Sequence, residues 1–386
     1  MAGKSSLQGR VDAVVDRAID ERRIVGAVIL VAQDGAEAYR RAAGLADREQ
    51  GRPMEEDAIF RLSSITKPMV AAAAMRLVEK GAMRLDDPVT RWLPDFRPRL
   101  PNGVTPTIRV HHLLTHTAGL SYRFREPADS PYHCLNVSDG LDQPGLSIEE
   151  NLERLAAAPL LSEPGATWRY SLGMDVLGAA AAKAAGASLP DLVDEFVLTP
   201  LGMSDTGFAV RDPARLATPY ADGAPEPIRM TEDIAVPIPT IPDLPPGAAA
   251  RFSPRRALDP ASYPSGGAGM AASVPDFLRF LEAIRGGGAP ILKSETVARM
   301  VTDQVGTQAQ TQGPGWGFGY GWAVLVDRSA AGAPQSAGAI QWGGVYGHSW
   351  LIDRARGLSV AAFTNTAVEG MNGAFVVALR KAIYGA

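Results

Sequence analysis

The stretch from Arg61 to Gly81 reads RLSSITKPMVAAAAMRLVEKG. Its apolar run has the length of a helix, Gly81 supplies a C-terminal stop, and Pro68 sits in the first turn, where a missing N–H costs nothing. Within that first turn Ser64 and Lys67 are three residues apart and share a face. The chain contains only Lys4, Lys67, Lys80, Lys183, Lys293 and Lys381, and of these only Lys67 has a serine three positions before it. A serine hydroxyl attacks well only when a neighbouring base removes its proton. An amine becomes such a base when desolvation or a positive neighbour brings it from its reference pKa of about 10.4 towards neutrality. The helix N-terminus adds partial positive charge that favours an alkoxide and a developing oxyanion. Standing alone, the pair is better accounted for by a capping serine and a solvated lysine, so the rest of the chain has to decide.

Upstream, Leu7, Val11, Val14, Val15 and Ile19 recur at helical spacing, and AVILVAQ, Asp34-Gly35 and AEAYRRAAG read as a hairpin. IFRLSS then leads into a helix from about Ser64 to Lys80. From Leu85 to about Ala250 the texture is helical, as in Ser147 to Ala158 and Met174 to Ala185, with long Pro- and Gly-containing loops. Asp222 to Pro264 is proline-rich and aperiodic, the character of a lid or binding wall. Strand texture returns in GAIQWGG, GHSWLID and LSVAAFTNT, and a last amphipathic helix is expected from about Met371 to Tyr384. The simplest assembly is an antiparallel sheet built from both ends of the chain, flanked by helices, with a mainly helical lobe inserted. That places a discontinuous α/β domain at 1–84 and 251–386 and the lobe at 85–250.

Composition limits the chemistry. With 386 residues, 46% of them apolar and 21% charged, the chain suits a soluble globular protein. A net charge of −4 without a basic face argues against nucleic acid. LGAAAAKAAGASL is interrupted by Lys183 and too short to span a bilayer, and the first residues lack an apolar leader core, so no membrane partner and a cytoplasmic location are expected. The only cysteine, Cys134, has no C-x-x-C partner.

Two further stretches give the opening pair company. GATWRYSLGMDVLG places Tyr170 and Ser171 at the entry to a helix, and QWGGVYGHSWLID places Trp342-Gly343-Gly344 on a C-terminal strand. In this order the three segments resemble the active-site motifs of serine β-lactamases and penicillin-binding proteins. With RLSSITKP, HHLLTHTAGL, YPSGGAGM and GPGWGFGY, the resemblance covers nearly the whole chain and is most similar to the family VIII carboxylesterases, the esterase branch of the class C β-lactamase-like proteins. It implies a serine β-lactamase/penicillin-binding-protein-like fold and an acyl-enzyme mechanism without cofactor or metal.

The resemblance also implies roles. Ser64 would be the nucleophile, with Lys67 and Tyr170 together as its base and Tyr170 returning a proton to the leaving alcohol. The N–H groups of Ser64 and Val345 would form the oxyanion hole. Gly343 and Gly344 would let the strand approach the substrate, while Trp342 would line its pocket; Tyr122, just after HHLLTHTAGL, is placed either to reach the substrate or to pack in the core. Where β-lactamases have Y-x-N this chain has Tyr170-Ser171-Leu172, and where they have K-T-G it has Trp342-Gly343-Gly344. Leucine offers no amide and indole no cation for a drug carboxylate. Both changes point to a small neutral ester of short to medium acyl length as the partner.

Other residues invite competing readings. His112 and His116 have the i, i+4 spacing of zinc ligands, but the H-E-x-x-H glutamate is missing. His348 suggests a Ser-His pair, although lysine and tyrosine take that part in the resembled proteins. Asp175 is placed to orient polar groups below the site or to cap a helix. An α/β-hydrolase would need G-x-S-x-G, which does not occur. A β-lactamase, an amide hydrolase, an acyltransferase and a non-catalytic penicillin-binding-like scaffold share this fold and remain the alternatives.

Overall fold

The computed structural model describes residues 6–238 and 244–385. Helix α1 (Leu7–Asp20) is capped by Ser6, whose hydroxyl accepts the Gly9 N–H at 3.1 Å. The hairpin follows as β1 (Gly26–Gln33) and β2 (Ala36–Asp47). Asp34 and Gly35 between them have φ of 53° and 87°, the two positive values that a type I′ turn requires. Short strands β3 (Arg52–Pro53) and β4 (Ile59–Arg61) precede a single tight turn, Ser63–Thr66, which runs into α2 (Lys67–Glu79).

Helices α3 (Val110–Leu114), α4 (Pro131–Cys134), α5 (Ile148–Ala157) and α6 (Gly173–Ala185) come next, separated by irregular chain. The proline-rich stretch, apart from residues 239–243, which lie outside the described residues, is more ordered than its sequence suggests. β5 (Tyr220–Ala221) pairs with β6 (Ile228–Arg229), and β7 (Ile234–Pro237) pairs with β8 (Ala249–Phe252). Strands of two to four residues are too short to print a period on the sequence. The boundary expected between residues 250 and 251 falls inside β8.

The C-terminal part supplies β9 (Ala271–Ser273), β10 (Trp316–Phe318), β11 (Ala323–Leu325), β12 (Ile340–Gly344), β13 (His348–Asp353) and β14 (Leu358–Thr364). The main sheet has the order β10-β11-β12-β13-β14-β1-β2-β3 and is antiparallel throughout. Both ends of the chain meet at β14 and β1, with Val28 opposite Phe363 and Leu30 opposite Ala361.

Helices cover both faces of this seam. Val28, Leu30 and Ala32 enter one core with Phe277 and Leu281 of the helix Val274–Arg285. Ala27, Ile29 and Val31 enter another with Val11 and Val15 of α1 and Phe375 and Leu379 of the last helix. A strand buried on both sides reads as an unbroken apolar run, which is why AVILVAQ does not alternate. The last helix begins later than expected. Ala367–Asn372 and Ala374–Tyr384 are separate helices broken at Gly373, because the Glu369 carboxylate folds back to accept the Phe375 N–H at 2.8 Å and occupies the space a side chain at 373 would need.

Between α3 and α5, apart from the single turn of α4, the chain is held by buried charge. Arg123 pairs with Asp142, and Asp139 accepts the N–H groups of Arg123 at 2.7 Å and Phe124 at 3.1 Å. This fixes the loop that carries Tyr122. Burial pushes the Asp139 carboxyl up to about 7 against the pull of the Arg123 cation. A carboxyl raised on folding contributes its full stability below its unfolded value of about 4 and loses it as pH rises through the folded value. The thermal midpoint of the wild type minus that of Asp139→Asn is therefore expected to fall between pH 5 and pH 8. Parallel midpoint curves for the two proteins would contradict this account.

Candidate active site

From residue 58 to residue 75 every side chain is buried except that of Ser64. The tight turn after β4 brings this one residue to solvent, and Ser63 makes the turn possible. Its φ of 46° is a left-handed value, which costs a non-glycine residue about 1–2 kcal/mol. The Ser63 hydroxyl offsets part of that cost by donating to the Leu62 carbonyl at 2.7 Å and accepting the Tyr346 N–H at 3.3 Å.

Two side chains converge on the half-buried Ser64 hydroxyl, and a third backs one of them. Tyr170 Oη donates to Ser64 Oγ at 2.7 Å, and Lys67 Nζ donates to the same oxygen at 3.2 Å. Lys67 is fully buried, and its second partner is the Gly267 carbonyl at 2.9 Å. Its ammonium lies 4.6 Å from the centre of the Tyr170 ring and 5.4 Å from that of Tyr122. Trp342 Nε1–H points at Tyr170 Oη at 3.4 Å.

Aromatic packing holds the tyrosine. Its ring centroid lies 4.9 Å from His116, 4.9 Å from Tyr122 and 5.2 Å from Trp342. Tyr122 is stacked on Phe124 and buried, and burial with the neighbouring Tyr170 pushes its phenol well above the usual range. Tyr122 therefore contributes a neutral ring beside the site.

Glycine brings the third segment close. A Cβ on Gly344 would lie 2.5 Å from the Leu62 carbonyl oxygen and 2.8 Å from Ser63 Oγ. With the Tyr346–Ser63 bond, this contact clamps the turn Val345–Gly347 against the turn that carries Ser64. Val345 lies between the two clamped residues of its own turn, and Ser64 directly follows the clamped Ser63. Gly343 packs against Met371 in the same way, a Cβ there coming within 2.7 Å of its Cγ.

The remaining candidates lie apart from the hydroxyl. His348 is buried, its Nε2 is 2.7 Å from the Arg61 carbonyl oxygen, and burial brings its imidazole down to about 4. His112 Nδ1 accepts the Arg109 N–H at 3.2 Å, His111 Nδ1 lies 3.1 Å from Tyr320 Oη, and His116 Nδ1 lies 3.3 Å from Ser171 Oγ. No group of three or more His, Cys, Asp or Glu suited to a metal ion occurs among the described residues. No single helix among them is long and apolar enough to cross a membrane. Sequence reasoning passed over Ser63 and Gly267. Ser63 reads as a linker residue and Gly267 as one of several glycines in YPSGGAGM, since a backbone carbonyl leaves no mark on residue type.

Known proteins repeat this arrangement of chain. Residues 11–382 match the Beta-lactamase family. The chain is 56% identical over 381 residues to esterase EstB of Burkholderia gladioli, covering 98% of this chain and 96% of that protein. Its structure superposes on EstCE1, described as a hydrolase with promiscuous acyltransferase activity, with a TM-score of 0.95, 48% identity and 100% coverage of both chains. The unliganded simvastatin synthase LovD of Aspergillus terreus shares the fold at a TM-score of 0.77 and 22% identity over 98% of each chain.

The clamp at Gly344 is testable without knowing the substrate. Gly344→Ala should slow labelling of Ser64 by a fluorophosphonate at least about tenfold, because its Cβ forces β12 away from the nucleophile turn. Gly9→Ala, in α1 with no neighbour closer than 3.5 Å, should label at the wild-type rate. Equal labelling of Gly344→Ala and wild type by intact-mass analysis would show that the close approach is dispensable.

Proposed function

The chain belongs to the Beta-lactamase family, and from this premise we propose that it is a serine carboxylesterase acting on small neutral esters of short to medium acyl length through an acyl-enzyme on Ser64. The observation that carries the reading is Ser64 Oγ, on the one half-buried residue of a buried segment and held between Tyr170 Oη at 2.7 Å and Lys67 Nζ at 3.2 Å. The 56% identity to EstB, a protein named an esterase, supports it independently.

The steps follow from the positions. The Tyr170–Lys67 pair takes the Ser64 Oγ proton as Oγ attacks the ester carbonyl carbon. The N–H groups of Ser64 and Val345 receive the negative charge that develops on the carbonyl oxygen. When the tetrahedral intermediate collapses, the C–O bond to the alcohol breaks and Tyr170 returns the proton to the departing oxygen. Water then enters, loses its proton to the same pair and attacks the acyl carbon, which frees the acid and restores Ser64.

Leu172 and Trp342 shape the choice of substrate. Leu172 is fully buried in the core and presents no amide to a ligand, and Trp342 is buried with its N–H turned to Tyr170. An ester needs neither an amide-reading residue nor a cation. A second reading, acyl transfer to an alcohol, is favoured by the likeness to EstCE1. It differs only in which hydroxyl attacks the acyl-enzyme, and adding a primary alcohol to the assay would convert part of the acid product into a new ester.

The purified protein is expected to hydrolyse p-nitrophenyl esters of short to medium chain with full activity after exhaustive chelation. Activity that disappears with a chelator and returns with zinc would instead favour the histidines.

Substitutions separate the proposed base from its rivals. Ser64→Ala should abolish turnover, and Lys67→Ala and Tyr170→Phe should each lower kcat at least about a hundredfold. The double variant should be little worse than either single one, as for groups acting as a unit. Lys67→Arg should fail because a guanidinium keeps its proton. His348→Ala, if folded by circular dichroism, should keep most activity. An active Lys67→Arg enzyme would overturn the assignment of the base.

A further inference from the structure

The Lys67 side chain has no exposed surface, and a cation buried there needs a partner of opposite sign or a full set of acceptors. Its hydrogen bonds go to one hydroxyl and one backbone carbonyl, neither of them charged. The third residue of the Tyr170 motif, where the resembled β-lactamases have asparagine, is the apolar Leu172. Among the described groups with perturbed titration, the Lys67 charge acts on two, His116 and Asp175. His116 is an imidazole held neutral by burial and by the Lys67 cation, so it supplies no negative charge. That leaves Asp175.

Asp175 lies in the first turn of α6, five residues after Tyr170, and is 2% exposed. Ser265 Oγ donates to its Oδ1 at 2.6 Å. Its Oδ2 is buried without a partner at hydrogen-bonding geometry and lies against Gly267: a Cβ on Gly267 would come within 2.5 Å of it and within 3.1 Å of Tyr122 Oη. Gly267 is also the residue whose carbonyl receives Lys67 Nζ. Asp175 and Lys67 therefore both lie against one residue, Gly267, and a side chain there would run into the Asp175 carboxyl.

We propose that Asp175 is a positioning residue for the reaction: it seats the Gly267 peptide that receives Lys67 and supplies the counter-charge that sets how readily the Lys67–Tyr170 pair gives up its proton. This rests on the esterase reading of the same site. Burial works against the charged form of Asp175, while the Ser265 hydroxyl, the Lys67 and Arg256 cations and the Gly267 N–H work for it. Other titratable groups nearby are Tyr122 and Tyr263, both held as neutral phenols by burial with Asp175 adding to the effect, and Asp139, which acts on Tyr122 from the loop beyond. An anion beside the pair stabilises the ammonium and disfavours a phenolate. Removing it should make the pair lose its proton at lower pH.

The test is the pH dependence of kcat/KM in wild type, Asp175→Asn and Ser265→Ala. Asparagine keeps an acceptor for Ser265 and removes only the charge. Its acidic limb should move down by about one pH unit, and kcat should fall at least about tenfold with KM changed less than about threefold. Ser265→Ala removes a hydrogen bond that favours the carboxylate, so its limb should move the same way by a smaller amount, and it provides the answer if Asp175→Asn does not fold. The pH profile of Ser64 labelling by a fluorophosphonate should show the same displacement without any turnover. A limb that stays in place in the folded variants, or a loss of kcat that only follows a loss of thermal stability, would overturn the proposal. A wild-type protein that neither hydrolyses esters nor labels at Ser64 would overturn the esterase reading instead.

Discussion

The constraint on which the rest of the structure depends is a lysine amine that has been taken out of water. Lys67 is fully buried at the start of α2, and it is tolerable there only because acceptors arrive from elsewhere in the chain. Ser64 comes from the preceding turn, the Gly267 carbonyl from the segment before β9, and the face of Tyr170 from the entry to α6. Each must be placed to within a few tenths of an ångström, so three separate parts of the fold are registered on one nitrogen. The alanines that follow Lys67 fit the same need. Ala71 to Ala74 are all buried, and small side chains let α6 and the C-terminal segment close over the helix; a Cβ on Gly321, for instance, would come within 2.9 Å of that of Ala71.

Much of the fold was legible because its main elements are long or strongly punctuated. α1 had its spacing, the first hairpin its Asp34-Gly35 turn, and β12 to β14 their apolar runs separated by glycine turns. What the sequence hid was decided by tertiary contacts. The break at Gly373 depends on a carboxylate folding back from Glu369, and the short pairs β5–β6 and β7–β8 carry too few residues to show a period. The tight turn at Ser63 depends on a left-handed residue that is not glycine, a conformation no composition rule would assign to serine.

The site divides in a similar way. Ser64, Lys67 and Tyr170 could be named from sequence because their chemistry resides in side chains, and the structure brings the three together around one oxygen. His348 and the histidines of HHLLTH carry equally suggestive side chains, and the fold spends them on backbone carbonyls, hydroxyls and helix capping. The parts that sequence could not show are backbone atoms and the residues that aim them: the Gly267 carbonyl, the Ser63 hydroxyl under Tyr346, and the bare Cα of Gly344. A peptide group acquires a role only from where it is put.

The clamp between Ser63 and Tyr346 joins residues 283 positions apart, the lysine-to-carbonyl bond spans 200 positions, and the tyrosine-to-serine bond spans 106. During synthesis the nucleophile leaves the ribosome first, and the strand that flanks it on the opposite side comes near the end. The seam of the sheet, β14 against β1, closes later still. Contacts of such separation form slowly, since the loop between them must be gathered before either end gains anything. A nascent chain therefore exposes Ser64 for most of its synthesis without the surroundings that would make it reactive. Chemical competence and completion of the fold become a single event.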